Sequence, residues 1–576
     1  MKSILVLGGT TEGRKSIEAL EEAGNLFYYS TKTGEQTVTL HHGILLSGAM
    51  DQRAMTTFCQ THDVGLIIDA AHPFAEALHR TVAMVAETLN LPAIRFERIF
   101  LPRASDITWC DDFDDALHKV DCQVLLATTG VQSIAKLNPL EARGIRVRYR
   151  ILNRESSIRL AYQQGASDEQ LCFYPHTPHA DAILMKESGE SGGFTEKVEE
   201  ARKMGMKIYA IKRPDTPPLF HSVNGEHGLR RMVEQLLPEF YPLHSGLTTG
   251  TCATAAAVAA NIRRHTGEQP SHVPVTLPNG EAIHVAVGHG NDYSYCIKEA
   301  GDDPDVTNGI EIRAQVEPDN HFEIVGGEGV GRFTLPGFDY PPGEAAINKV
   351  PRQMLRDNIP EDVRITISVP QGAEMARRTF NPRLGITGGI SIIGVSGIVK
   401  PFSEEAFIES IHKCMEVAKA SGAERVVIHS GAKSEHALQH YYPTLPSQAF
   451  VEYGNAIGAT LQIADQLNIS RLSLGIMLGK AVKLAEGHLD THSKKVTMNK
   501  DFIATLLHEA QCPEQFIHQA ADITLARELW QLIPDRQLPA FCQSVIRHCL
   551  RHCQPLLPHG QLTILLIDDE GNIHSA

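Results

Sequence analysis

The sequence predicts an α/β N-terminal half built of two Rossmann-like lobes with parallel sheets, followed by a mixed α+β C-terminal half in two subdomains. Three observations carry this. Strand and helix signals alternate through the first ~240 residues and restart once on the way. The texture changes near Pro238 to Ser245. Beyond it a Gly-rich, β-leaning stretch runs to about residue 400, after which helical patterns return. The boundaries drawn are residues 1–240 and 244–576.

In order, Ile4 to Leu7 reads as a buried strand, Arg14 to Ala23 as a helix, and Leu26 to Tyr29 as a second strand. Val64 to Asp69 is a later strand and Ala75 to Leu89 a helix. Val124 to Ala127 restarts the pattern and ends in the turn Thr128-Thr129-Gly130. Strands at Ala182 to Met185 and Lys207 to Ile211 flank a helix over Glu196 to Met204. Such alternation implies parallel sheets covered on both faces. In the second half, turns fall at Pro278-Asn279-Gly280 and Pro336-Gly337, and strands at Arg425 to Ile428 and Leu472 to Leu474. A helical segment covers roughly 500 to 553, and Leu562 to Ile567 is a closing strand.

Of 576 residues, 42% are apolar and 21% charged; 53 Lys+Arg against 68 Asp+Glu give a net charge of -15. That balance excludes a nonspecific nucleic-acid binder, which needs a basic footprint. No apolar run approaches the ~18 residues of a membrane span. Eleven scattered cysteines form no paired framework, which fits reduced thiols in a cytoplasm. MKSILVLGGTTEGR carries no signal-peptide pattern.

Gly8-Gly9-Thr10-Thr11-Glu12-Gly13 lies between a strand and a helix, where a pyrophosphate can meet free N–H groups and the positive helix end. Against the dinucleotide fingerprint, Gly8 and Gly13 match while Thr10 takes the middle slot. An NAD site usually ends its second strand in Asp or Glu; here the run is Ser30-Thr31-Lys32. Lys32 tilts the reading toward NADP, and a solvated surface lysine reads equally well. Asp69-Ala70-Ala71-His72-Pro73-Phe74 follows a strand, and the proline holds His72 extended. Lys186-Glu187-Ser188-Gly189 and Lys212-Arg213-Pro214 close two later strands, where cations can receive carboxylates.

As an ordered set, ILVLGGTTEGR, IIDAAHPFA, TTG, KESG…GG…EK and IKRP resemble the precorrin-6A reductase family of cobalamin biosynthesis over about residues 1–240. The resemblance implies hydride delivery from NADPH or NADH to a C=C bond of the corrinoid ring. The cofactor would lie on Gly8, Gly9, Thr10, Glu12, Gly13 and Arg14, with Thr31 and Lys32 at its ribose. His72 and Lys186 would face the macrocycle or the nicotinamide, and Arg213 the substrate.

In the second half, Thr248-Thr249-Gly250-Thr251-Cys252 precedes an alanine-rich helix, a turn that reads as an anion cradle or as an ordinary cap. Asp302-Asp303-Pro304-Asp305 reads as a hydrogen-bonded turn, lacking the full calcium-loop spacing. Glu328-Gly329-Val330-Gly331 mimics a nucleotide or S-adenosylmethionine loop. Gly475 to Lys480 fails the phosphate-loop spacing. His548-Cys549…His552-Cys553 has chelating spacing, with helix packing the default, and no metal is assigned.

GLTTGTCATAAA, KEAGDDPDVT, GEGVGRFTLPG, AINKVPR, TFNPRLGITGGISIIGVSGIVKPFS and GKAVKLAEGHLDTHS resemble the cobalt-precorrin-5B C1-methyltransferase family over roughly 244–576. Lys349 departs from the proline expected there. The resemblance implies methyl transfer from S-adenosyl-L-methionine to ring carbon C1, giving the ring that the first half reduces, so the fusion would keep an intermediate local. The electron-rich ring carbon is its own nucleophile, and the protein orients it and excludes water. A polycarboxylated substrate on an acidic protein needs local cations. Arg377, Arg378, Arg383, Lys400, Lys480 and Lys483 suit that role, with Thr249, Thr251, Asn381 and Thr491 beside them and His492 as a catalytic candidate. A homo-oligomer is left open. The rival readings are a generic NADP oxidoreductase fused to an unrelated domain, and a non-catalytic tetrapyrrole carrier.

Overall fold

The structure, a computed structural model, describes residues 2–32, 34, 36–493 and 495–575. It divides into two compact units. One comprises the chain up to Ser245 together with Pro274–His284; the other comprises Gly246–Val273 and the chain from Val285 onward.

The first unit runs β1 (Ser3–Leu7), α1 (Thr11–Glu21), β2 (Phe27–Thr31), β3 (Gly43–Ser47), α2 (Gln52–Thr61), β4 (Val64–Asp69), α3 (Glu76–Leu89), β5 (Ala93–Glu97), β6 (Thr108–Cys110), α4 (Phe113–Lys119), β7 (Val124–Ala127), α5 (Asn138–Ala142), β8 (Arg146–Ile151), α6 (Glu155–Gln163), β9 (Leu171–Phe173), β10 (Ala182–Lys186), α7 (Phe194–Lys203), β11 (Lys207–Ile211), β12 (His221–Asn224) and α8 (Gly225–Leu236). Two six-stranded sheets result, ordered β12-β5-β4-β1-β2-β3 and β6-β11-β10-β7-β8-β9. Every strand pair in both is parallel.

Strand alternation explains why both faces are covered. On β1, Ile4 and Val6 enter the core with Leu20, Tyr29 and Leu229, while Leu5 and Leu7 enter the opposite core with Met55, Val82 and Val85. Leu125 and Leu126 of β7 divide in the same way between the two cores of the second sheet. Each such side chain contributes about 1.5–3 kcal/mol by leaving water. The first lobe is discontinuous: β12 and α8 follow the second lobe in sequence and return to complete the first sheet. The second lobe also opens earlier than the restart at Val124, because β6 adds to its edge through β11.

The second unit begins with the helix Thr249–Thr266, capped by Thr248, whose hydroxyl accepts from Thr251 N–H (3.2 Å). It packs on a sheet ordered Gly288–His289, Ser294–Ile297, Glu311–Pro318, Val363–Ser368, Glu323–Gly326, antiparallel except for its last, parallel pair. Lys349 opens the helix Lys349–Asn358, a first-turn position where proline's missing N–H costs nothing. From about residue 404 an α/β layer follows, its strands ordered Phe450–Glu452, Val426–His429, Arg471–Met477, Gln561–Ile567, Ile573–Ser575, with only the last pair antiparallel. The helical stretch expected over 500 to 553 is broken into Lys500–Glu509, Glu514–Ala520, the single turn Leu529–Leu532 and Leu538–Cys553. Gln511, left-handed at φ +55°, ends the first of these, with Cys512 N–H turned back onto Leu507 O (3.0 Å), and Pro513 follows where the helix can no longer continue. No helix among the described residues is long and apolar enough to cross a membrane.

Candidate functional site

In the first unit the two lobes are locked across their strand ends. Glu12, buried in the first turn of α1, pairs with Arg98 Nε (2.9 Å) and accepts from Ser191. Arg98 Nη1 also donates to Ser188 O (2.7 Å). Burial alone would raise the Glu12 carboxyl, but the charge of Arg98 and the Ser191 hydroxyl outweigh it and hold it below the usual range. Glu187, at the end of β10, takes both arms of Arg103 on the connection between the lobes (2.9 and 3.1 Å) and the backbone N–H and Nη1 of Arg213 after β11 (both 2.9 Å). The Arg213 guanidinium, expected to hold substrate, is thus paired and lies 3.8 Å over the Phe100 ring centre. Glu12, expected at the cofactor, is likewise engaged between the lobes.

The loop after β1 is shaped by Tyr29. A Cβ on Gly8 or Gly13 would collide with the Tyr29 phenol. Its hydroxyl accepts from Gly9 N–H (3.0 Å) and donates to Gln36 Oε1 (2.7 Å), and Gln36 Nε2 donates to Thr10 O (3.1 Å). Thr10 caps α1 through Gly13 N–H (3.0 Å) and donates to Ala70 O (2.6 Å). Gly9, at φ +90°, faces open space where its Cβ would be. At the end of β2, Thr31 Oγ1 is buried and has no hydrogen-bond partner among the described residues, and Lys32 and Arg14 are exposed. An open glycine, an orphaned hydroxyl and flanking cations fit a phosphorylated ribose.

His72 and Lys186 come together with two aromatic rings. Lys186 Nζ lies 5.0 Å from the Phe74 ring centre and 5.5 Å from that of Phe113, with Lys136 Nζ on Phe113 at 4.8 Å. Burial and the charge of Lys136 push the Lys186 ammonium below its ordinary pKa. His72 Nδ1 accepts from Phe74 N–H (3.2 Å), which leaves the neutral ring's proton on Nε2. Burial, followed by Arg98 and Lys186, drives His72 down to about 3, so the ring is neutral at physiological pH. A histidine held neutral is a hydrogen-bond donor here and not a reservoir of acid; the depressed lysine is the better proton source. The loop bearing His72 is pinned by a buried network the sequence did not signal. Asp69 accepts from Arg95 Nη1 (2.9 Å) and Ala71 N–H (3.1 Å) and binds His79 Nδ1 (2.5 Å), while Arg95 Nη2 holds Ala71 O (2.9 Å).

In the second unit, Thr249 and Thr251 are buried and turn onto their own chain. Thr249 Oγ1 accepts from Ile393 N–H (2.8 Å) and Thr251 Oγ1 donates to Gly397 O (2.6 Å). Asn381 Nδ2 donates to Gly389 O (3.2 Å), and its Oδ1 accepts from Ser391 (3.2 Å). These three residues fasten the loop over 381–397. The glycines of Glu328 to Gly331 stand at a backbone crossing: a Cβ on Gly329 would strike Val369 O, and one on Gly372 or Gly389 would strike Gly329 O.

The stretch over 377–402, which includes the fastened loop, exposes Phe380, Ile393, Val395 and Phe402, the last 70% exposed at φ +54°, alongside exposed Arg377, Arg378 and Arg383. Apolar and cationic groups thus share one segment, with Lys400 half-buried within it. Arg383 Nη2 reaches Glu435 Oε2 at 3.0 Å. Lys480 donates to Gly454 O, Lys483 Nζ lies 3.4 Å from Thr491 O, and Thr491 N–H bonds Asn455 O (3.2 Å). These residues gather at the carboxyl ends of the strands Phe450–Glu452 and Arg471–Met477. His492 is half-buried, its N–H on Asp490 Oδ1 (3.0 Å).

The two other motifs singled out in the sequence are taken up by internal bonds. Asp305 takes Lys298 Nζ (2.6 Å) and Thr307. Cys549 donates to Ala481 O while His548 faces Glu509, so the histidine–cysteine spacing does not converge.

A cobalt-precorrin-5B C(1)-methyltransferase of Prosthecochloris aestuarii is 41% identical over 345 residues, covering 56% of this chain and 94% of its own length. The chain belongs to that family. Residues 238–401 match the family CbiD and residues 490–576 its C-terminal domain. Residues 3–228 match the family Precorrin-6x reductase CbiJ/CobK, so two enzyme families of cobalamin biosynthesis are joined in one chain. Among solved structures, a cobalamin biosynthesis protein (cbiD) of Archaeoglobus fulgidus is 27% identical, covering 44% of this chain and 84% of its own (TM-score 0.26). CobK precorrin-6A reductase is 17% identical, covering 41% and 98% (TM-score 0.34).

Proposed function

We propose that the chain catalyses two steps on one corrinoid: S-adenosylmethionine-dependent methylation of cobalt-precorrin-5B at C1, then nicotinamide-dependent reduction of the resulting precorrin-6A-type ring. The observation that carries this is the 41% identity spanning 94% of the Prosthecochloris methyltransferase, on a chain whose residues 3–228 match the reductase family.

In the methylating unit, exposed arginines beside exposed apolar side chains suit a ring with an apolar face and carboxylate arms. Arg377 and Arg378 would take the arms, Phe402 the face, and the threonine and asparagine bonds would hold the loop still. The methyl donor supplies an electrophilic carbon, and the ring carbon attacks it, so the unit needs orientation and dryness more than a nucleophile of its own.

In the reducing unit the nicotinamide supplies hydride. Lys186, desolvated and flanked by Phe74 and Phe113, would give the proton that completes saturation of the C=C bond. His72, neutral through Nε2–H, would orient the ring edge. Gly9, Thr31, Lys32 and Arg14 would receive the cofactor's ribose and phosphate groups.

The test is to offer purified protein cobalt-precorrin-5B with S-adenosylmethionine, then NADPH, then NADH, following the corrinoid by mass spectrometry. The expected result is gain of one CH2 with the first donor and of one H2 with a nicotinamide. A corrinoid unchanged by all three would remove the reading.

A further inference from the structure

We propose that the second unit holds the adenosine of its methyl donor at the carboxyl edge of its parallel sheet, with Glu452 accepting the ribose diol and the Ser430–Gly431 turn beneath it. This rests on the methyltransferase reading and assigns the donor a place.

The first argument is topological. In chain order the four parallel strands are Val426–His429, Phe450–Glu452, Arg471–Met477 and Gln561–Ile567; in space the second lies outside the first. The connections therefore change direction between the first and third strands, and in open α/β sheets ligands bind in the crevice outside the carboxyl ends at such a point. The Glu328–Gly331 loop has no such setting.

The second argument is the chemistry gathered there. The first strand ends in His429-Ser430-Gly431, and the helix Ala432–Tyr441 starts from Gly431 at φ +152°. The nearest atom to a Cβ built on Gly431 is Glu452 Oε1, at 3.8 Å, so the turn is open and the carboxylate overlooks it. Glu452 ends the neighbouring strand, paired in register with His429. An acid closing the second strand, about twenty residues beyond the first turn, is the arrangement that takes a ribose hydroxyl in dinucleotide folds. Glu452 makes no hydrogen bond or ion pair among the described residues, although Lys480 stands near enough to feel its charge.

The third argument is unsatisfied polarity. His429 is fully buried, and among the described residues neither ring nitrogen makes a hydrogen bond of good geometry, the Gly431 backbone being the one polar group of the turn close enough to act on it. Its Nε2 sits 4.0 Å from Glu435 Oε2 in the first turn of the same helix. Thr491 Oγ1, on the loop bonded to Asn455 beyond the Glu452 strand, is a second buried polar atom with no partner among the described residues. Buried polar groups without partners are uncommon in folded proteins, and two of them flank this edge. A carboxylate at the ribose repels a 2′-phosphate, which selects an S-adenosyl compound over NADPH. Glu435 also binds Arg383 of the exposed apolar and cationic segment, so the donor would lie beside the ring's proposed seat.

The experiment is calorimetric titration of the full chain with S-adenosylhomocysteine and, in a second arm, with NADPH, for wild type and Glu452→Gln. We expect the variant to lose roughly tenfold to a hundredfold in S-adenosylhomocysteine affinity, with NADPH affinity unchanged and with the unfolding midpoint of the second unit, read from Trp530 in a Trp109→Phe background, unchanged as evidence that this unit is folded. Hydrogen exchange on the wild type needs no variant: the homocysteine ligand should protect peptides over 429–436 and 450–456. Wild type that binds and methylates, with Glu452→Gln binding equally well or with protection elsewhere, would overturn the site and leave the methyltransferase reading standing. Loss of NADPH binding in the variant would make this a dinucleotide site and overturn it as well. Wild type that neither binds the ligand nor methylates would overturn the reading and the site with it.

Discussion

Glu281 and Gly225 are built for each other. The Glu281 carboxylate accepts from the N–H groups of Glu226 (2.9 Å), His227 (2.9 Å) and Gly228 (3.4 Å), closing the N-terminus of α8. A Cβ on Gly225, which sits at φ +74°, would fall inside that carboxyl group. Asn279 Nδ2 steadies Glu281 Oε1 (2.8 Å), and Asn224 Oδ1 holds Ala282 N–H (2.8 Å). The cap of a helix in the reductase-family half thus comes from a segment, Pro274–His284, that lies beyond residue 245 in the chain.

Glu281→Ala should therefore destabilise the first unit, by about 1–2 kcal/mol for a lost cap with its favourable charge at the helix start. Trp109 belongs to the first unit and Trp530 to the second, and the chain has no other tryptophan. In a Trp530→Phe background, urea unfolding followed by fluorescence reports Trp109 alone. Its midpoint should fall in the Glu281→Ala variant, and a fragment ending at residue 245 should show the same deficit. Unchanged midpoints in both would mean that the cap is immaterial.

The Lys186 environment predicts a pH signature. Because burial and then Lys136 depress its pKa, the proton needed for ring saturation should be lost as pH rises through a value below the usual 10.5. Lys136→Gln removes the like charge, favours the ammonium, and should move that limb of the reduction profile upward. Lys186→Met should lower the rate of reduction about 10²–10⁴-fold with NADPH affinity preserved. A Lys186→Met variant that reduces the ring at the normal rate would dismiss the lysine as proton donor.

Phe402 combines wide exposure with a left-handed backbone that bulky residues seldom adopt. Its N–H is anchored on Asp303 Oδ1 (3.2 Å). Phe402→Gly should relieve the backbone and leave thermal stability equal or slightly raised, while KM for the corrinoid in methylation rises several-fold. Lower stability with unchanged KM would make Phe402 a packing residue.

Much of the fold was legible, for a physical reason. Strands buried on both faces are apolar throughout, so Val64 to Asp69, Val124 to Ala127 and Lys207 to Ile211 stood out with the observed bounds. Arg146–Ile151 did not, because arginines alternate with apolar residues along it, and Gly43–Ser47 lies at an edge where burial is partial. The return of His221–Asn224 to the first sheet has no local signature, since pairing is a long-range choice. At the sites, a place at a strand end and the family resemblance singled out His72 and Lys186, but not Lys136, the second lysine on the Phe113 ring. Glycines read the same whether they make room for a ligand or for another part of the chain itself. Tyr29 under Gly8 and the backbone crossing at Gly329 are of the second kind. The Gly431–Glu452 pair went unread because neither residue is conspicuous until the sheet sets the two strand ends side by side.

The Asp69 network gives the acid behaviour of the His72 loop. Burial would raise the Asp69 carboxyl, but the His79 hydrogen bond and the Arg95 charge outweigh it and hold it below its ordinary value. A depressed carboxyl adds stability that is fully present above the unfolded pKa, near 3.9, and is lost as pH falls through the lower folded value. Asp69→Asn takes one of two carboxylates from buried Arg95 (1% exposed) and leaves it Glu97 (2.7 Å), so the loss should stay below the ~3–5 kcal/mol of a buried charge left with no partner. The gap between wild type and Asp69→Asn, read from Trp109 unfolding in the Trp530→Phe background, should be widest near neutrality and narrow below about pH 4. Reduction should fall with it, because Arg95 also holds Ala71 O (2.9 Å), next to His72. A gap independent of pH would show that shape, and not the ionised carboxylate, holds the loop.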